Sequence, residues 1–85
     1  MSLAITFGHV LRRLRKQARL TQEQLGFEAN LERNYISMLE RGERQPTLTT
    51  LVRLARALSC SAAHLVALVE AAADASEPSE PSPSI

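Results

Sequence analysis

Between Thr21 and Arg41 the chain starts a helix, stops it, turns, and starts another, all within about twenty residues. Thr21 precedes Gln24 by three positions, a spacing at which side chain and backbone exchange hydrogen bonds, so a helix opens at Thr21. Ala29 is small enough to sit against a crossing neighbour, and Asn30 can take the left-handed conformation that ends a helix. The turn is then Asn30-Leu31-Glu32. A further helix follows from about Arg33 to Arg41, with Ile36, Leu39 and Glu40 on its inner side and Gly42 as its terminator. Elements this short must share a core with their neighbours.

The flanking sequence supplies that core. From Thr6 to Leu20 the apolar residues Phe7, Val10, Leu11, Leu14 and Ala18 recur at helical spacing, with Arg12, Arg13, Lys16 and Arg19 on the remaining surface. Gln45-Pro46-Thr47 forms a loop. A fourth helix is predicted over about Leu48 to Leu58, carrying Leu51, Leu54, Ala55 and Leu58, and Ser61 can cap a fifth that runs to about Ala73. Eighty-five residues leave room for one core. The 45% hydrophobic content comes from Leu and Ala, with Phe7, Phe27 and Tyr35 the only aromatics, which favours helices over sheets. The predicted fold class is therefore all-α, a compact five-helix domain over residues 1–73. Residues 74–85, rich in Pro, Ser and Glu, are predicted to be a disordered tail.

The net charge of +1 conceals an asymmetry: all ten Lys and Arg, but only five of the nine acids, lie in residues 1–69. That body carries about +5 and the last sixteen residues about −4. A basic body suits a polyanionic partner, while solvated surface arginines give the same count. Cys60 is the only cysteine, so no disulfide framework arises. His9 and His64 lack neighbours at metal-ligand spacing. We find no nucleophile and base pairing, carboxylate pair or phosphate loop, so neither an enzyme nor a bound cofactor is expected. No apolar run has the length of a membrane span and no small-molecule effector is evident. The expected location is the cytoplasm.

Two short helices joined by a three-residue turn can lay one helix in a major groove while the other braces it across the phosphates. A hairpin that merely packs has the same hydrophobic pattern, so the polar residues must distinguish the two. Here the sequence resembles a known family through Phe7-Gly8, Leu11-Arg12, Leu14-Arg15-Lys16, Leu20-Thr21-Gln22-Glu23-Gln24-Leu25, Tyr35-Ile36-Ser37, Leu39-Glu40-Arg41-Gly42, Pro46-Thr47-Leu48 and Leu54-Ala55-Arg56-Ala57-Leu58. Across about residues 6–69 it is similar to the Xre, or Cro/CI-type, helix-turn-helix family. The resemblance implies a lambda-repressor-like fold, a bacterial or phage transcriptional regulator, and double-stranded DNA as the partner. The chain departs from the family pattern at Gly26 (commonly Ala), Asn30 (commonly Gly) and Glu32 (commonly a Ser, Thr or Asp cap).

The resemblance makes the third helix the recognition helix. Arg33 and Asn34 stand at its N-terminal end, where base edges are usually met; Arg can grip guanine O6 and N7, and Asn adenine N6 and N7. Ser37 and Met38 follow one turn on as further base contacts. For phosphates we expect Gln22, at the start of the second helix, with Arg41 and Arg44 on the other side. Tyr35 has two roles open: its ring packs on the turn, or its hydroxyl reaches a phosphate. The family pairs the positions of Arg15 and Glu40, which we assign to a structural ion pair.

The fifth helix is apolar on more than one face. Leu65 and Leu68 can seal the subunit core, which leaves Val66, Val69 and Ala73 for a second copy of the same surface. Such a homodimer would set two recognition helices about 34 Å apart, facing a pseudo-palindromic operator. A restriction-modification controller, a phage-type repressor and an autoregulating antitoxin all fit. A different class is a protein-interaction module that binds a partner through the fifth helix and DNA only weakly.

Overall fold

The computed structural model describes residues 2–76. They form α1 (Leu3–Gln17), α2 (Gln22–Ala29), α3 (Arg33–Glu40), α4 (Leu48–Ala57) and α5 (Ala62–Ser76). The order and number match the sequence reading; two boundaries do not. Helix α1 begins at Leu3 rather than near Thr6, because Ala4 shares the face of Phe7 and Leu11 and is 7% exposed. Helix α5 continues to Ser76, past the expected end at Ala73, so the first residues assigned to a disordered tail are helical. Residues 77–85 lie outside the described residues.

Four of the five helices end in the same way. Arg19, Asn30, Gly42 and Ser59 take φ of 60°, 57°, 75° and 60°. In each case the following N–H reaches back to a carbonyl five residues earlier: Leu20 to Arg15, Leu31 to Gly26, Glu43 to Met38, and Cys60 to Ala55. These are Schellman closures, which satisfy carbonyls at the helix end. Only Gly42 does so without a Cβ penalty. Ser59→Gly should therefore raise the unfolding free energy by about 0.5 to 1 kcal/mol, read as an increased urea midpoint at constant slope.

Helix α1 lies against α3 and α5, α2 against α3 and α4, and α4 against α5, with a 100° change of direction between α4 and α5. Val10, Leu11, Leu25, Ile36, Leu39, Leu54 and Leu65 are essentially inaccessible and draw the five helices onto one core. Helix α1 crosses the C-terminal end of α3 at Gly8. A Cβ there would stand 2.5 Å from the Glu40 carbonyl oxygen and 2.6 Å from that of Leu39. Gly8→Ala should lower the unfolding free energy by about 1 to 3 kcal/mol, because this overpacking outweighs the roughly 1 kcal/mol gain in helix propensity. Urea denaturation checks it. No single helix among the described residues is long and apolar enough to cross a membrane.

One expected interface residue moves into this core. Val69 is only 7% exposed and packs within the core of the chain. It stands four residues after Leu65, on the same helical face, which α5 turns toward α1 and α4. Leu68 is half-buried, Val66 is 39% exposed and Ala73 is half-buried.

Candidate nucleic-acid interface

Helix α2 opens with a complete capping box: the Thr21 hydroxyl accepts from the Gln24 N–H at 3.0 Å, and the Thr21 N–H donates to Gln24 Oε1 at 2.8 Å. Left-handed Asn30 closes it and extended Glu32 starts α3. Glu32 gives α3 its carbonyl, which accepts from the Tyr35 and Ile36 N–H groups, but its side chain makes no cap hydrogen bond. The first N–H groups of α3 thus find no acceptor in the Glu32 side chain. Glu32→Ser should add roughly 1 kcal/mol of stability by supplying that cap. The readout is the urea midpoint.

Arg33 and Asn34 are both exposed on the first turn of α3. Ser37 and Met38, one turn further, are half-buried and offer less of their surface. Tyr35 is also half-buried, with its side chain packed against the core.

The residues expected at phosphates are held unequally. Arg44 is exposed. Arg41 is exposed but engaged, with Nε 2.7 Å from Glu43 Oε2, and both side chains remain more than half exposed. Such a surface pair is weak enough to exchange for a phosphate. Gln22 is half-buried, and its Nε2 donates to Glu40 Oε1 at 3.2 Å.

That contact joins Gln22 to the ion pair. Arg15 Nε donates to Glu40 Oε2 at 2.6 Å, and Nη2 to Oε1 at 3.0 Å. Arg15 Nη1 donates to the Leu20 carbonyl at 2.8 Å, just before the α2 cap. The two side chains are 11% and 3% exposed. One buried fork thus ties α1, the start of α2 and the end of α3 together. Among the described residues, no buried side-chain nitrogen or oxygen is left without a partner.

The helix-turn-helix family model matches residues 11–65. The chain belongs to the helix-turn-helix transcriptional regulators. It is 41% identical over 66 residues to the uncharacterized HTH-type transcriptional regulator y4dJ of Sinorhizobium fredii, covering 78% of this chain and 86% of that one. It is 39% identical over 62 residues to the immunity repressor protein of Bacillus phage phi105, covering 73% of this chain and 43% of the repressor. Among solved structures, the restriction-modification controller C.AhdI of Aeromonas hydrophila superposes with a TM-score of 0.71 at 39% identity, over 73% of this chain and 94% of the controller.

Two features of this helix-turn-helix regulator have no counterpart in the sequence reading. The Gln22 to Glu40 bond spans 18 positions and depends on how α2 and α3 cross, which no local pattern encodes. Phe27 is 88% exposed on α2, although a large apolar side chain is ordinarily expected to face the core.

Proposed function

We propose that this regulator binds a pseudo-palindromic double-stranded DNA site as a homodimer and controls transcription there, by repression where the site overlaps a promoter. The observation that carries the reading is the exposed start of α3. Arg33 and Asn34 project from an uncapped helix end whose base is fixed by the Arg15–Glu40 fork. In this reading Ser37 and Met38 add contacts within the groove. Gln22, Arg41 and Arg44 hold phosphates on either side. The Tyr35 ring supports the helix from behind.

For the dimer face, burial within one chain narrows the choice of residues. Val69 is mostly buried in its own chain, so Val66 and Ala73 are the residues of α5 that offer more surface to a second copy. Beside Val66 runs a largely apolar depression lined by Leu3, Ala4, Phe7, Gln45, Pro46 and Leu51, with Val69 at its floor. Leu3 is 55% exposed. Exposed apolar side chains rimming an apolar depression favour a self-complementary contact.

Selection of binding sites from a random duplex library, followed by fluorescence anisotropy across a salt series, tests both parts. The expected result is an enriched inverted repeat whose affinity falls steeply with salt. Absence of salt-sensitive binding at low ionic strength would overturn the DNA reading. A monomer by sedimentation at the concentrations that bind DNA would overturn the dimer.

A further inference from the structure

We infer that Glu40 is a positioning residue for the DNA backbone contact, acting through Gln22, in addition to its part in the ion pair. The inference rests on the phosphate role proposed for Gln22. A carboxylate can only accept, so Glu40 Oε1, at 3.2 Å, dictates which end of the Gln22 amide faces inward: the nitrogen. An amide nitrogen carries two protons. With one given to Glu40, the other is held in a fixed direction at the first turn of α2, beside backbone N–H groups that lack helical acceptors. A glutamine free on the surface would present its oxygen and its nitrogen outward in turn, and the oxygen repels a phosphate.

Glu40 can do this because it is itself immobile. Its two oxygens are gripped by Arg15 at 2.6 and 3.0 Å, and its side chain is 3% exposed. Arg15 also holds the Leu20 carbonyl, which fixes the backbone just ahead of Gln22. The donor offered to DNA is thus set by a chain of contacts from α1 through the end of α3. Glu40 touches no DNA in this arrangement. It acts by removing the rotamer freedom that Gln22 would otherwise lose on binding.

The test is a double-mutant cycle on DNA affinity using Gln22→Ala, Glu40→Gln and the double variant, in the full chain. Affinity is measured on the selected duplex and on a random-sequence duplex, well below each variant's melting temperature. Gln22→Ala should weaken both duplexes roughly tenfold. Folded Glu40→Gln should lose a comparable factor, and the double variant no more than Gln22→Ala alone. Folded Glu40→Gln that binds as the wild type does, while Gln22→Ala loses affinity in both backgrounds, overturns the inference and leaves the DNA reading intact. An unchanged Gln22→Ala overturns it as well. Should Glu40→Gln fail to fold, hydrogen exchange of side-chain amides in the unsubstituted protein decides. The Gln22 amide protons should exchange more slowly than those of exposed Gln17, and equal rates overturn the inference.

Discussion

Glu40→Ala should lower the unfolding free energy by about 3 to 5 kcal/mol, the largest stability loss expected from any single substitution discussed here. The substitution removes one carboxylate but strands three donors: Arg15 Nε and Nη2, and Gln22 Nε2. Arg15 would keep only its bond to the Leu20 carbonyl, and its charge, 11% exposed, would lose its counter-ion without regaining water. That uncompensated charge accounts for most of the loss. Replacing both partners together with apolar residues of similar volume should therefore recover much of it, since the desolvation of two charges disappears with them. The surface pair provides the control. Arg41 and Glu43 are more than half exposed, so Glu43→Ala should change stability by no more than about 0.5 kcal/mol. Urea denaturation of the four proteins separates these cases. A loss below about 1 kcal/mol for Glu40→Ala would mean that water reaches the fork.

How much of this was legible in the sequence follows from the range of each signal. The start and end of α2 are local matters: Thr21 and Gln24 lie three residues apart, Asn30 makes its own left-handed turn, and all three behave as their chemistry requires. The core of α3 was legible for the same reason, since Ile36, Leu39 and Glu40 fall on one helical face. The pairing of Arg15 with Glu40 came from family resemblance, because nothing local links residues 25 positions apart. Val69 is buried where a second copy was expected to cover it, because α5 is apolar on more than one face. Periodicity cannot orient such a helix, and only its seat against α1 shows which face is inward. The start of α1 was missed for a related reason: Ala4 is too small to read as a core residue until Phe7 is seen beside it.

On the selected DNA site, Arg33→Ala and Asn34→Ala should each cost about 1 to 3 kcal/mol of binding free energy and relax base preference at the position each reads. The double variant should approach the affinity of the wild type for random DNA, because what remains is the phosphate grip, which is blind to sequence. Arg44→Ala should behave oppositely: it should weaken selected and random duplexes alike and reduce the salt slope by about one. Arg33 and Asn34 are both exposed and lie outside the core, so their variants should unfold within about 0.5 kcal/mol of the wild type, and lost affinity will not be confused with lost fold. Equal losses on selected and random DNA for Arg33→Ala would place that side chain on the backbone. The groove would then be read from Asn34 onward. Glu32 makes that alternative physically concrete: its side chain makes no cap hydrogen bond, and its carbonyl accepts from the Tyr35 and Ile36 N–H groups. An added cap at that position, as in Glu32→Ser, should then leave the loss caused by Asn34→Ala unchanged.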